Sequence, residues 1–199
     1  MAGSVGVLAL QGAFREHVAA LADCGVEAVE VRRPEQIAQL DGLIIPGGES
    51  TAISRLLEAY GLAGPIVDLH RAGGAVLGTC AGMIVAASEA VDGRPDQIHL
   101  GLIDVVVRRN AFGRQVASFE AELALAGDPR PLPGVFIRAP WIERAGGGVE
   151  LLASHAGHPV AAREGQVLVT AFHPELTRDR RVHETFLEMV DTGRREVAA

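Results

Sequence analysis

An α/β fold on a mainly parallel sheet is what this sequence predicts, on three observations. Apolar, strand-like runs alternate with stretches of helical spacing over roughly the first 90 residues, glycine-rich turns follow those runs, and shorter β runs crowd the second half. Val5-Gly6-Val7-Leu8-Ala9-Leu10 has the unbroken apolar character of a strand buried on both faces. Residues 14–24 carry Phe14, Val18 and Leu21 on one helical face, with Gly25 just past the end. A second short strand is expected at 28–31, and Pro34 opens a brief helix. A third strand, Gly42-Leu43-Ile44-Ile45, ends at Pro46-Gly47-Gly48. Helices are expected at about 50–60 and, from Pro65, to about 71; Gly73-Gly74 then lead into the strand Ala75-Val76-Leu77, with a helix-like stretch at 84–89 beyond it. After the loop Asp92-Gly93-Arg94-Pro95-Asp96, β runs at 102–107, 115–119, 134–137, 149–153, 159–163 and 167–172 predict hairpins and mixed strands. An amphipathic helix at about 180–190, with Val182, Phe186, Leu187 and Val190 inward, packs the end of the chain onto the sheet.

Composition narrows the class. The 199 residues, 48% hydrophobic and 22% charged, suit one domain with a substantial core. A formal charge of -7 argues against a general nucleic-acid binder, which needs Lys and Arg to neutralise phosphates. Arg108-Arg109, Arg178 and Arg180-Arg181 read as solvated faces, protein contacts or anion sites. With only Cys24 and Cys80, a disulfide framework is not expected; Cys24 reads as packing, and a reducing cytoplasm suits a free Cys80. The start of the chain shows no basic leader, and no apolar stretch approaches the roughly 20 residues that span a bilayer, so no membrane partner is expected.

The chemistry-bearing pattern centres on Cys80. Gly78-Thr79-Cys80-Ala81-Gly82 between a strand and a helix has the form of a nucleophile elbow, which exposes the central side chain and offers the next amide, that of Ala81, to a reacting oxygen. A thiol at a helix N-terminus also feels the positive end of the peptide dipoles. The strand at 167–172 runs into His173-Pro174-Glu175, where positions two apart face the same way and Pro174 blocks a helix. Cys80 as nucleophile, His173 as proton carrier and Glu175 as its orienting carboxylate would form a triad. Taken singly, a buried cysteine is a small core residue and a strand-end His-Pro-Glu a polar turn. Both at strand ends favour catalysis. Gly47-Gly48 has two readings on its residues alone, a turn or an oxyanion strand, with the Gly48 amide joining that of Ala81; no phosphate-loop pattern accompanies it. His155 and His158 flank Ala156-Gly157 and precede Pro159, which suggests a turn rather than a metal site, while His17, His70, His99 and His183 read as surface or helix-face residues. A stand-alone cysteine amidase and an inert scaffold remain open at this point.

Five strings narrow this further: residues 8–17 (Leu-Ala-Leu-Gln-Gly-Ala-Phe-Arg-Glu-His), 46–51 (Pro-Gly-Gly-Glu-Ser-Thr), 78–83 (Gly-Thr-Cys-Ala-Gly-Met), 109–115 (Arg-Asn-Ala-Phe-Gly-Arg-Gln) and 173–175 (His-Pro-Glu). Together they closely resemble the glutaminase-subunit family of pyridoxal 5′-phosphate synthase, within the class I glutamine amidotransferases. The resemblance implies a flavodoxin-like three-layer fold and a single glutaminase domain over residues 1–199. It implies hydrolysis of L-glutamine to L-glutamate and ammonia, with the ammonia passing to a separate (β/α)8-barrel synthase subunit in an assembly of twelve copies of each. It assigns the triad to Cys80, His173 and Glu175, oxyanion donors to Gly48 and Ala81 with Gln11 ordering them, and glutamine contacts to Gly47, Gly48, Glu49, Arg109, Ile137 and Arg138. Neither metal nor cofactor enters that chemistry.

Overall fold

The structure is a computed structural model that describes residues 3–93, 96–112 and 118–197. In chain order its strands are Val5–Leu8 (β1), Ala28–Val31 (β2), Gly42–Ile45 (β3), Ala75–Thr79 (β4), Ala87–Val91 (β5), Ile103–Arg108 (β6), Ser118–Leu125 (β7), Asp128–Ile137 (β8), Trp141–Ala145 (β9), Glu150–His155 (β10), His158–Glu164 (β11) and Val167–Thr170 (β12). The α-helices are Phe14–Asp23 (α1), Ser50–Ala59 (α2), Ala63–Arg71 (α3), Ala81–Ala86 (α4) and Arg181–Val197 (α5), with 3-10 turns at Pro34–Gln39 and Pro174–Leu176.

Strands β1, β3, β4 and β12 are buried at every residue, which is why their sequences run apolar without alternation. They lie in a sheet ordered β10-β11-β12-β4-β3-β1-β2 among the described residues. From β12 to β2 the pairings are parallel, and β10 and β11 extend the β12 edge antiparallel. Counting only the parallel strands, the order is second-first-third-fourth-fifth, the flavodoxin-like arrangement, whose ligand crevice opens beyond the carboxyl ends of the strands. A second sheet, β5-β6-β9, and the hairpin β7-β8 complete the mixed second half. The expected α/β fold, its parallel core and its later antiparallel strands are all present.

Three element expectations need correction, the first being that the β runs expected at 115–119 and 134–137 mark, in their described residues, only the open ends of a longer hairpin, Ser118–Leu125 paired with Asp128–Ile137. The helix expected to reach Glu89 stops at Ala86, and Ala87–Val91 is strand β5, paired parallel with β6 from Ala87 against Ile103. Every residue of α4 is buried, so no amphipathic stripe marks its end, and pairing overrides the helical propensity of the Ala-Ser-Glu-Ala run. Strand β9 was also not foreseen; it pairs with β6 from Trp141 to Ala145, and its Glu-Arg-Ala end carries little β signal. Arg94 and Pro95 of the expected loop, residues 115–117 of the expected strand and Gly113, Arg114 and Gln115 of the 109–115 string lie outside the described residues. Among the described residues, no helix is long and apolar enough to cross a membrane.

Of the surface and helix-face readings of His17 and His183 the surface one fails: both lie on helices and are 0% exposed, packed between α1, α5 and the end of β4. The misreading has a clear origin. His17 falls on the inward stripe with Phe14 and Leu21, and His183 falls beside Val182 and one turn before Phe186, so helical spacing placed them inside while their polarity suggested outside. His17 Nδ1 lies 3.0 Å from His183 Nε2, and His17 Nε2 lies 3.1 Å from Thr79 Oγ1. Burial is the first cause that holds both rings neutral; it keeps His17 well below the ordinary imidazole range, and with Arg180 nearby it brings His183 down to about 4.

Gly82 sets how closely α4 approaches the sheet. A Cβ there would collide with the carbonyl oxygen of Ile45 and lie 2.8 Å from its carbon, both rigid backbone of β3. Gly82→Ala should therefore destabilise the fold by about 2–3 kcal/mol, the reverse of the usual gain for this exchange in a helix. Gly64→Ala is the control: nothing stands within 4 Å of its added Cβ, and chemical denaturation should show it neutral or stabilising by about 0.5 kcal/mol. The buried histidines generate a second expectation. They are neutral when folded and free to protonate when unfolded, so the unfolded state binds more protons as pH falls and stability must drop. For His183 alone the loss should be about 2 kcal/mol between about pH 7.5 and about 5. Denaturant titrations across that window should show the slope, and His183→Gln should reduce it.

Candidate active site

The site forms where four strand ends meet. The segment after β1 carries Gln11, the segment after β3 carries Gly47 to Glu49, β4 delivers Cys80, and the chain beyond β12 delivers His173. Together with Ala81, Arg109, Ile137 and Arg138 these residues line one cavity of about 340 Å³, so all the sequence-predicted positions meet there except Glu175, which lies behind His173. Gly12, Ala13, Ser50, Ile84, Asn110 and Leu176 complete the lining.

Cys80 occupies a backbone conformation that L-residues rarely adopt, φ 49 and ψ -103. Its amide is tied to the Thr170 carbonyl of β12 at 2.7 Å, and α4 begins at the next residue, so the turn is held from both sides. Cys80 Sγ lies 3.8 Å from the Ile137 carbonyl oxygen, and the sulfur also interacts with the His173 imidazole. Gly47 lets these groups approach: a Cβ on it would sit 2.9 Å from His173 Nδ1 and 3.3 Å from Cys80 Cβ. Three non-glycine residues with positive φ, Cys80, Asn110 and Arg138, line the same cavity, so backbone strain collects there.

His173 Nδ1 bonds Glu175 Oε1 at 2.7 Å, and Glu175 is only 5% exposed. The bond leaves Nε2 for the sulfur side. Burial opposes charge on His173, but hydrogen bonding to the Cys80 sulfur and to Glu175, reinforced by their charges, outweighs it and raises the imidazole well above its ordinary range. The Cys80, His173 and Glu175 side chains thus stand in line.

The glycine strand is pinned on both sides of Gly48. The Gly47 N–H donates to Thr79 Oγ1 at 3.0 Å, the Gly47 carbonyl accepts from Ala13 N–H at 3.0 Å, and the Glu49 N–H donates to Gln11 Oε1 at 2.9 Å. The Gly48 N–H between them has no bond among the described residues. The planar Gly47–Gly48 peptide turns that N–H away from Ala13, opposite to its own carbonyl. The Ala81 N–H, in the first turn of α4, is also left over by the helix.

Polar anchors sit at the rim. Arg109 donates to Gln97 Oε1 at 3.0 Å and lies 3.7 Å from Glu49 Oε1. Glu49 caps α2, accepting from the Thr51 and Ala52 amides at 3.0 and 2.7 Å; partial burial works against its charge, but these donors and Arg109 prevail and hold its carboxyl below the usual range. Arg138 is exposed at the cavity mouth. Thr79, Gln97 and His17 are the contributors that sequence reasoning missed; only Thr79, inside the elbow motif, and His17, on a helical apolar stripe, carried a local signal. His155 and His158 face each other across a two-residue turn, Ala156 and Gly157 at φ 50 and 81. Their rings stack on Phe119 and Trp141, centroids 5.2 and 3.6 Å apart.

Comparison with known proteins gives the family. Residues 7–192 match the model of the SNO glutamine amidotransferase family. A protein of Mycobacteroides abscessus named pyridoxal 5′-phosphate synthase subunit PdxT is 60% identical over 193 residues, covering 97% of this chain and all of that one. One of the same name from a Parafrankia species is 57% identical, covering 94% of this chain and 92% of its own. A crystal structure of a glutamine amidotransferase superposes with a TM-score of 0.90 at 51% identity, over 95% of this chain and 100% of that one. The chain belongs to the SNO glutamine amidotransferase family.

Proposed function

We propose that this chain, acting as a single glutaminase domain, hydrolyses L-glutamine to L-glutamate and ammonia. The observation that carries the reading is the buried line Cys80, His173, Glu175 opening on a cavity whose floor includes the unbonded Gly48 amide. In the first half-reaction His173 already carries the proton, and Cys80 Sγ attacks the side-chain amide carbon. The oxyanion that forms is held by the Gly48 and Ala81 N–H groups, each donor worth roughly 3 kcal/mol of barrier. His173 gives the proton to nitrogen, the C–N bond breaks, and ammonia leaves a thioester on Cys80. In the second half His173 takes a proton from water, whose oxygen attacks the thioester carbon; the C–S bond breaks and glutamate departs. Glu175 keeps the His173 ring oriented and supports its charge throughout.

Glutamine is a zwitterion at its far end, and the rim offers both signs: Glu49 for the ammonium, Arg109 and Arg138 for the carboxylate. Gln11, bonded to the Glu49 amide, orders the glycine strand next to the oxyanion. The ammonia would go to a separate synthase subunit that builds pyridoxal 5′-phosphate, in keeping with the names of the relatives. A (β/α)8-barrel partner, a twelve-plus-twelve assembly and a cytoplasmic location belong to the same proposal.

The test is ammonia release by the purified chain, alone and titrated with the synthase subunit. Glutamine turnover that rises with the partner and vanishes in Cys80→Ala, by about 10⁴-fold or more, is the expected result. Hydrolysis of other amides with none of glutamine at any partner ratio would overturn the reading. Glu175→Gln should lower kcat by roughly 10³-fold with little change in KM, since it leaves the cavity untouched but misorients the ring. Arg109→Ala should instead raise KM about 10- to 100-fold, the cost of one charge-assisted anchor, with kcat changing far less.

A further inference from the structure

Behind Glu175, away from His173, the line of polar side chains continues into the core. His17 Nε2 stands 3.4 Å from Glu175 Oε2 and 3.1 Å from Thr79 Oγ1, and its Nδ1 stands 3.0 Å from His183 Nε2. Both rings are fully buried, and none of the steps proposed above uses them.

Hydrogen-bond bookkeeping selects one proton arrangement. Glu175 Oε2 and His183 Nδ1 are both buried with no hydrogen-bond partner among the described residues. If His17 carried its proton on Nδ1, its Nε2 lone pair would face the carboxylate, and His183 would bury an Nδ1–H with no acceptor. With the proton on His17 Nε2, that N–H faces Glu175 Oε2 and Thr79 Oγ1, and His183 donates its Nε2–H to His17 Nδ1. This arrangement leaves a bare lone pair on His183 and the Thr79 hydroxyl hydrogen without partners among the described residues; the other leaves the His183 Nδ1–H and sets a lone pair against the buried Glu175 carboxylate, and the charge of the carboxylate decides between them. The other groups facing the pair are His173, which opposes a proton on His17, and Arg180, which opposes one on His183 and is itself held by Asp23 at 2.7 Å.

We propose that His17 and His183 are positioning residues for the reacting line: His183 fixes the tautomer of His17, and the His17 Nε2–H donates to Thr79 while setting its positive end 3.4 Å from the outer oxygen of Glu175. Thr79 precedes the nucleophile and accepts the Gly47 N–H, so one imidazole ties the orienting carboxylate, the elbow strand and the glycine strand together. The consequence for turnover rests on the glutaminase reading; the proton arrangement does not.

Two readouts test it on the full chain. Nitrogen-15 spectra of histidine-labelled protein near neutral pH should show both rings neutral and protonated at Nε2; an Nδ1–H tautomer or an imidazolium at either position overturns the proposal, whatever the activity. The second is the rate of Cys80 alkylation by iodoacetamide against pH, in a Cys24→Ala background. His17→Leu should move the acid limb up by about one pH unit, a roughly tenfold slower reaction on that limb. His17→Gln, whose amide N–H can stand at the Nε2 position, should restore the rate to within about threefold. A His17→Leu profile that overlays the parent, or a Gln variant as impaired as Leu, overturns it. Should His17→Leu fail to fold, the tautomer spectra decide alone. Alkylation needs no glutamine, so failure of the glutaminase reading would show separately, as absent ammonia release.

Discussion

The turn at Cys80 is the constraint around which the rest of the molecule is arranged. A cysteine at φ 49 and ψ -103 is unfavourable on its own and persists because its neighbours over-determine it. On one side the amide is bonded to β12; on the other, α4 is drawn against β3 so tightly that residue 82 has no room for a side chain. The turn therefore belongs to three parallel strands at once, and their burial supplies the free energy that holds it. A sheet with β3, β4 and β12 adjacent brings the glycine strand, the sulfur and the imidazole together with no long loop.

This dependence explains what the sequence disclosed. The strands that carry the site are buried on both faces, so they announce themselves as apolar runs, and the glycines at 47, 78 and 82 mark the close approaches that follow them. Residues adjacent to such runs, Cys80, Gly48 and His173, were legible for that reason. Gln97 was not, because it lies in a loop far along the chain and reaches Arg109 only through the tertiary fold. The end of α4 was misjudged for a related reason: a helix buried on all sides has no period to read, and strand β5 is defined by its partner β6 rather than by its own residues.

Polar groups in the core pose a different problem for sequence reading. Burial alone would favour neutrality at His173, His17 and His183 alike. At His173 the sulfur on one side and the carboxylate on the other reverse that preference; at His17 and His183 no such reversal occurs, and both rings stay neutral. Three histidines of one local network thus have opposite proton affinities, a contrast set by their neighbours and invisible in the letters of the chain.

The same contrast gives the network its direction. A charged imidazole can exist at the cavity because the Glu175 carboxyl group stands behind it, and such a group that is 5% exposed needs donors on its far side as well as its near one. The Glu175 side chain is closed off from the surface. Among the described residues the polar ring facing the outer oxygen is His17, and its donor faces that way only when its other nitrogen accepts. Here a second neutral histidine meets this need, since it donates through one nitrogen and leaves only a lone pair on the other. The pairing of α1 with α5 through two imidazoles thus follows from a requirement set by a cysteine on the other side of the sheet end.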